Sequence, residues 1–454
     1  MLETLNNWII SENDWIWTYL LIILLILIGL YFTFKSRFVQ FRYFGEMFRL
    51  LGQGVSNGKG KNSVSSFQAF CIATASRVGT GNLAGVATAV ALGGSGAVFW
   101  MWVLALIGSA SAFVESTLAQ IYKEKGERSF IGGPAFYIGK GLKKKGLALL
   151  FAFIIIITFG LVFNSVQANT IAIAFHEIYG TGQLGPAIIL TFFTLITIFG
   201  GIHRIARVAG IIVPFMAIAY VLCCVILIVC NIGAIPHAVV EIVRSAFGMD
   251  AVAGGALGAI IVAMQKGIAR GIFSNEAGLG SAPIAAAAAR TKEPVRQGLV
   301  TMTGTFIDTI VICTMTGLAI VVSGKWSNPN LQGVEITDAA FQSGLPFPGK
   351  VSSFILMACL VFFAFTTILG WSYYSERCLT YLRGKASHTM TLIFRWLYIA
   401  AVFIGPYLTV EAVWDTADVF NGLMAFPNII ALLALSCIIA ADTKQYFAEK
   451  RHLS

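Results

Sequence analysis

Two glycine-rich stretches interrupt segments of this sequence that are otherwise apolar and helix-like. One is GTGN at 79–82, and the other is GIFSNEAGLGS at 271–281. Glycine inside a helix costs about 1 kcal/mol relative to alanine, so both stretches favour an opening of the backbone. An opened helix exposes N–H groups at one end, which attract anions, and C=O groups at the other, which attract cations. The pattern predicts two places where main-chain groups bind the charged groups of a ligand.

The composition indicates a membrane protein. The 454 residues are 57% hydrophobic and only 11% charged, whereas a soluble chain carries about 25% charged residues. The run WIWTYLLIILLILIGLYFTF at 15–34 has the roughly 20 residues that cross a bilayer core. The preceding residues MLETLNNWIISEND contain no Lys or Arg, so the first run is predicted to remain as a span rather than to act as a cleaved signal. We therefore expect an all-α polytopic membrane protein.

The apolar runs predict about eleven transmembrane spans. With the N-terminus outside and the C-terminus in the cytoplasm, 25 of the 31 Lys and Arg residues fall on the cytoplasmic side, as the positive-inside rule requires. Eight cysteines lie mostly in apolar runs and are predicted to be small buried hydrophobes. The predicted spans are 15–35, 64–92, 97–122, 148–176, 186–201, 208–231, 253–288, 297–323, 350–376, 391–409 and 419–441.

The order of the spans predicts an internal repeat. After the first span, one interrupted span opens a group of five and a second interrupted span opens another, so the two groups insert with opposite orientations. Bare backbone at membrane depth persists only where it lines a cavity, and paired interruptions in inverted halves are typical of a transporter binding site. The predicted units are 1–63 (N-terminal helix and amphipathic cytoplasmic segment), 64–231 and 253–441 (the repeats), and 442–454 (cytoplasmic tail). Segment 36–62 is either a surface helix or a plain orienting loop.

Several motifs resemble those of the alanine or glycine:cation symporter family. They are GTGNLAGVATAVALGGSGAVFWMW at 79–102, GGPAFY at 132–137, FSNEAGLGSAPIAAAAA at 273–289 and PVRQGLVTMTGTFIDT at 294–309. The resemblance implies a LeuT-like fold of the amino acid–polyamine–organocation superfamily, with a 5+5 inverted repeat after one extra helix. It also implies sodium-coupled symport of alanine or glycine into the cell by alternating access, and the sequence leaves open whether L- or D-alanine is carried. Sodium is then co-transported, no other cofactor is expected, and a monomer in the cell membrane is compatible with the sequence.

The substrate site is predicted at the two interruptions. The N–H groups at the start of the second half of the first helix suit a carboxylate, and carbonyls before the second interruption suit an ammonium group. A glutamine in FNSVQANTIAIAF is similar to a substrate-contacting residue of the family. The predicted substrate-binding residues are Thr80, Gly81, Gln167, Gly271, Phe273 and Asn275.

The resemblance also predicts sodium ligands. The pair Thr366-Thr367 resembles the hydroxyl pair of the second sodium site in LeuT-like transporters, although threonines also bond to their own helix backbone. Asn82 is similar to an asparagine that helps to hold sodium, and its alternative role is to cap the second half-helix. Asp308 is expected to bind sodium or to pair with a base. The predicted cation-binding residues are Ala75, Val78, Asn82, Asp308, Thr366 and Thr367.

Five further charged residues lie inside the predicted spans, and the sequence leaves their roles open. Glu276 either binds a cation or pairs with Arg270, and Glu115 is expected to be structural. Arg77 either neutralises an acid or gates the inner side. Lys266 and Arg270 either line the outer vestibule or snorkel to the membrane surface.

Other function classes lack their sequence signatures. The chain contains no HExxH or GxSxG motif of an enzyme, no P-loop of an ATP-driven pump and no selectivity-filter sequence of a channel. Its basic residues orient spans rather than form a nucleic-acid patch. We expect a secondary transporter and no enzyme activity, with a proton in place of sodium as the open alternative.

Overall fold

A computed structural model describes residues 20–56, 64–126, 129–249, 255–291, 293–384 and 388–451. The acidic N-terminal segment and the predicted start of the first span at residue 15 lie outside these ranges. Part of the basic residues that support the predicted orientation also lie outside them, namely Lys59, Lys61, Arg128, Lys292 and Lys385.

The described residues form a helical bundle with one small antiparallel hairpin, β1 (Glu124–Lys125) and β2 (Phe130–Ile131). π-helical turns at Thr158–Val162 and Phe306–Cys313 each join the two helices that flank them. The helices are α1 (Ile22–Lys35), α2 (Val39–Arg42), α3 (Phe44–Ser56), α4 (Ser66–Arg77), α5 (Ala84–Gly93), α6 (Ala97–Ile121), α7 (Pro134–Lys140), α8 (Lys145–Ile157), α9 (Phe163–Tyr179), α10 (Leu184–Phe199), α11 (Ile202–Cys230), α12 (Ile235–Ala246), α13 (Ala256–Asn275), α14 (Ala282–Ala288), α15 (Pro294–Thr305), α16 (Thr314–Ser323), α17 (Val334–Gly344), α18 (Gly349–Arg383), α19 (His388–Ile404), α20 (Val410–Ala434) and α21 (Ser436–Arg451).

Within the described ranges, eight helical runs are long and apolar enough to cross a membrane. Three shorter apolar helices accompany them, at Ile22–Lys35, Thr80–Gly93 and Leu184–Phe199. The count of eleven spans and the orientation of the termini remain predictions. The eight runs are Ala97–Ile121, Lys145–Tyr179, His203–Cys230, Ala256–Asn275, Pro294–Ser323, Gly349–Arg383, His388–Tyr407 and Ala412–Ala434.

The last predicted span, 419–441, does not coincide with one helix. Helix α20 begins nine residues earlier, at Val410, and ends at Ala434, and a separate helix, α21, then runs from Ser436 to Arg451. The acidic residues Asp415 and Asp418 lower the hydropathy near the start of α20, so the predicted span begins only after them. The aromatic end of α21 packs on the segment after α2, where the rings of Phe447 and Tyr43 stack at 3.6 Å.

Both glycine-rich stretches interrupt helices. Helix α4 ends at Arg77, Val78 and Gly79 are extended, and a 3₁₀ turn at Thr80–Asn82 leads into α5. Helix α13 ends at Asn275, and the chain passes through left-handed residues Glu276 (φ 55°), Gly278 (φ 87°) and Gly280 (φ 84°) before α14. Glycine adopts such φ values without steric cost. The pairs α4–α5 and α13–α14 are therefore two discontinuous helices.

The far ends of the two discontinuous helices are tied to each other. Val64, just before α4, forms a parallel β-bridge with Ala289, just after α14, and the Arg290 N–H donates to the Val64 carbonyl at 3.2 Å. The Lys123 ammonium donates to the Ala289 carbonyl at 3.0 Å. Backbone and side-chain bonds thus hold the ends of α4 and α14 together on one side of the bundle.

Helix α6 is central and packs closely against α15. The crossing is tight at Gly298, where an added Cβ would lie 2.3 Å from Thr117 Oγ1 and 2.8 Å from the Phe113 carbonyl oxygen. Small residues permit such close helix contacts in membrane proteins. Because the Phe113 carbonyl is backbone, it cannot rotate away from a larger residue.

We expect Gly298→Ala to destabilise the protein by about 1–3 kcal/mol through overpacking. The measurement is the apparent melting temperature in detergent. Gly210→Ala on α11 is the matched control, because an added Cβ there meets no atom within 4 Å. Equal melting temperatures for the two variants would show that the α6–α15 crossing is looser than described.

Candidate functional site

The first break, residues 78–83, is held by side-chain amides. The Asn82 side chain turns back, and its Oδ1 accepts from the Gly79 N–H at 2.8 Å. The Thr80 N–H donates to Gln167 Oε1 at 3.0 Å. An added Cβ on Gly79 would lie 2.6 Å from Thr367 Oγ1 and 3.1 Å from Gln167 Oε1. Only glycine fits here, and the amide oxygen of Gln167 is the acceptor for the Thr80 N–H.

The second break, residues 276–281, follows a helix end that lies directly against the first break. An added Cβ on Gly81 would be 3.0 Å from the Phe273 ring and 3.8 Å from Ser274 Cα. The two discontinuous helices are also linked through Asp308, which accepts from Asn82 Nδ2 at 2.7 Å and from the Ser274 hydroxyl at 2.8 Å. The structure therefore brings Gly81, Asn82 and Phe273 together at one place.

Asp308 lies in an oxygen-rich, fully buried cluster. In addition to Asn82 and Ser274, the Thr309 hydroxyl donates to Asp308 Oδ2 at 2.9 Å. Its hydrogen-bond partners in the described chain are thus an amide and hydroxyls rather than a base, which was the alternative to cation binding. Hydroxyl and carboxylate oxygens are ligands that a hard cation accepts.

A second group of oxygens converges at the end of α4. The Thr367 hydroxyl donates to the carbonyls of Ala75 at 2.8 Å and Val78 at 3.1 Å. Thr366 does not join them, because its hydroxyl bonds to the carbonyls of Phe362 and Phe363 in its own helix. A rotation of about 100° per residue separates neighbouring helical side chains, so the two threonines cannot both face α4.

Aromatic rings surround Phe273. Its ring centroid lies 5.0 Å from that of Phe163, 6.2 Å from that of Trp371 and 5.0 Å from that of Trp414. All four side chains are buried. Trp371 and Trp414 were not predicted as site residues. Their only signal in the sequence is that each lies on the same helix as polar residues of the core.

Gly271 and Asn275, two of the predicted substrate-binding residues, are engaged in contacts within the protein. Gly271 lies within α13, facing Leu104 and Met101, because the helix continues to Asn275. The carbonyls free of intrahelical partners therefore lie in the last turn, after Gly271. Asn275 closes that turn: its Oδ1 accepts from the Ala277 N–H at 3.0 Å, and its Nδ2 donates to Thr309 Oγ1 at 3.1 Å.

The buried acids Glu276 and Glu115 hold the second break. Glu276 accepts from Trp371 Nε1 and from the Ser281 hydroxyl, each at 2.8 Å, and does not pair with Arg270. Glu115 accepts from the Gly280 N–H at 3.2 Å. These contacts provide hydrogen-bond partners for the loop of the second break, which is fully buried. Arg77 is buried as well, and its Nη1 donates to the Thr301 carbonyl at 3.1 Å.

Arg270 instead forms a buried ion pair with Asp418 of α20. Its two terminal nitrogens lie 2.9 and 2.8 Å from the two carboxylate oxygens, and its guanidinium lies 4.5 Å from the centre of the Trp414 ring. Both side chains are 8% exposed. Arg270 lies about one helical turn before Phe273, and its pair with Asp418 joins α13 to α20 next to the second break.

Comparison with known proteins identifies the kind of molecule that carries this site. The sequence profile of the sodium:alanine symporter family matches residues 2–453, which is nearly the whole chain. The chain belongs to this family.

Curated relatives of this symporter align over almost their full length. The probable sodium/glutamine symporter GlnT of Bacillus subtilis is 45% identical over 451 residues, covering 99% of this chain and 92% of GlnT. The sodium/alanine symporter AgcS of Methanococcus maripaludis is 41% identical over 447 residues, covering 96% of each chain. The crystal structure of MhsT in complex with L-phenylalanine matches with a TM-score of 0.54 and 14% identity, covering 86% of this chain and 99% of MhsT. This last likeness shows the fold, which is that of LeuT-like transporters.

We expect Asp418→Asn in this symporter to lower stability by about 3–5 kcal/mol, because it leaves the buried Arg270 guanidinium without a countercharge. The apparent melting temperature measures the loss. Arg49→Gln is the control: Arg49 is 55% exposed in its pair with Glu46, and such a pair contributes about 1 kcal/mol or less. Partial recovery in the double variant Arg270→Asp/Asp418→Arg would support the pairing, whereas an unchanged melting temperature of Asp418→Asn would contradict it.

Proposed function

We propose that the chain carries a small neutral amino acid, alanine or glycine, into the cell together with sodium. The observation that supports this most is the contact of the two discontinuous helices at Gly81 and Phe273. There, the backbone of the first break, with its N–H groups, is buried directly against the last turn of α13, whose final carbonyls end a helix. A zwitterionic amino acid needs both polarities, since its carboxylate binds N–H groups and its ammonium binds carbonyls.

The carboxylate is proposed to bind the N–H groups of Thr80 and Gly81. Gln167 Oε1 accepts from the Thr80 N–H, and a carboxylate oxygen makes the same contact with a full charge, which strengthens the bond. Gln167 then turns its amide nitrogen to the substrate. The ammonium group binds carbonyls in the last turn of α13, near Phe273.

The substrate is proposed to be small because rings close the site. Phe163, Trp371 and Trp414 surround Phe273, and Gly81 lies in contact with it. A side chain larger than a methyl group requires these rings to move. Either enantiomer of alanine meets this requirement, so D-alanine is included in the proposal.

Two sodium sites accompany the substrate in this proposal. One uses Asp308 and Asn82, whose hydrogen bond also links the two discontinuous helices. The other uses Thr367 with the carbonyls of Ala75 and Val78. At the Thr367 position sodium would take the place of a hydroxyl proton between oxygens that already converge, and at the Asp308 position the Asn82 amide would turn its oxygen to the ion. Ion binding would therefore organise the first break before the amino acid enters.

The proposed transport cycle is alternating access across an eleven-span protein. Residues 64–231 and 253–441 form the two inverted repeats, with an outside N-terminus and a cytoplasmic C-terminus. In this proposed cycle the ion pair of Arg270 and Asp418 serves as the closure on one side of the site, and the bridge between Val64 and Ala289 serves as the closure on the other. Transport requires these closures to open in turn.

Uptake into proteoliposomes tests the proposal directly. We expect an imposed sodium gradient to drive accumulation of labelled alanine and unlabelled glycine to compete with it. Accumulation driven equally by a proton gradient without sodium would contradict sodium coupling. Uptake of glutamine in place of alanine and glycine would contradict the substrate.

We expect Thr367→Val to raise the sodium concentration for half-maximal alanine uptake at least tenfold, because it removes a hydroxyl that lies between two carbonyls. Thr366→Val is the matched control on the same helix. The Thr366 hydroxyl bonds to Met216 Sδ and to the Phe362 and Phe363 carbonyls, none of which belongs to α4. The control should change this concentration less than twofold. Similar effects of both variants would remove Thr367 from the sodium site.

A further inference from the structure

One face of helix α20 follows the second discontinuous helix along its length. The Trp414 ring packs on Phe273, and Asp418 pairs with Arg270. Further along, Asn428 Nδ2 donates to the Gly278 carbonyl at 2.8 Å. Helix α20 therefore contacts this element before the break, through Trp414, and within the break, through Asn428.

Asn421 lies midway between these contacts. Seven residues separate it from Trp414 and seven from Asn428, and seven residues are nearly two full helical turns. The three side chains thus share one face of α20, with Asn421 about 10 Å along the axis from each neighbour. Because Trp414 contacts Phe273 and Asn428 contacts Gly278, the position between them is expected to lie alongside the stretch from Phe273 to Gly278, next to the proposed substrate.

The Asn421 amide has no hydrogen-bond partner among the described residues. The residue is 1% exposed, and neither its Oδ1 nor its Nδ2 is bonded. Most buried polar side chains in proteins are hydrogen bonded, and an unsatisfied buried amide costs about 1–3 kcal/mol. By contrast, the Asn428 amide on the same face is fully engaged, as both a donor to Gly278 and an acceptor from Tyr137.

We infer that Asn421 is a substrate-binding residue. This inference rests on the proposed function and adds a contact from α20, which the sequence reasoning did not include. The amide offers one acceptor and two donors, which match the ammonium and the carboxylate of a small neutral amino acid. The bound amino acid supplies the hydrogen bonds that the protein leaves unmade.

The test is Asn421→Leu, which keeps the volume of the side chain and removes its polar atoms. If the amide binds substrate, the KM for sodium-driven alanine uptake should rise at least tenfold, while the sodium dependence stays unchanged. The apparent melting temperature without alanine should stay the same or rise, because an unsatisfied polar group has been removed.

Asn169→Leu is the matched control for a structural amide. Asn169 is equally buried, and its Nδ2 donates to the carbonyls of Gly405 at 3.1 Å and Leu408 at 2.7 Å. Its replacement should lower the melting temperature. A similar fall for Asn421→Leu would overturn the inference by showing a structural amide. An unchanged KM would overturn it too, while alanine uptake by the unchanged chain would leave the proposed function standing.

Discussion

Peptide groups that leave a helix at membrane depth must find partners within the protein, and this constraint organises the structure. Lipid offers no hydrogen bonds, so each unsatisfied group costs several kcal/mol. Polar side chains of neighbouring helices meet the requirement. Asn82 and Gln167 accept from the first break, whereas Glu115 and Asn428 hold the second. Buried polar side chains thus lie beside both breaks, where the backbone leaves its helices.

The same constraint explains why a binding site can exist here. A main-chain group that is satisfied by a side chain can exchange that partner for a ligand that makes the same hydrogen bond. Gln167 at Thr80 and the Thr367 hydroxyl at Ala75 and Val78 are such partners. By contrast, the acids Glu276 and Glu115 bond to Trp371, Ser281 and the backbone of the second break. They stabilise the frame in which the exchange occurs.

Much of the architecture could be predicted because glycine content and hydropathy act locally. GTGN and the stretch at 271–281 contain glycines that favour an open backbone, and both lie at interruptions. The end of α13 was harder to predict, since FSN continues the helix beyond Gly271 until Asn275 closes it. The start of α20 was predicted too late because Asp415 and Asp418 lower the hydropathy near its beginning.

The sequence by itself determined that this chain is a helical membrane protein with two broken helices, because hydropathy and glycine act on the backbone locally. Its motifs also resemble those of a symporter family. Tertiary structure decided which of two adjacent threonines faces α4, that Arg270 pairs with Asp418 rather than Glu276, and which buried amide lacks a partner. These outcomes depend on how each helix is rotated about its axis and on what lies across from it. Residues hundreds of positions away set that rotation through packing, and no local pattern records it.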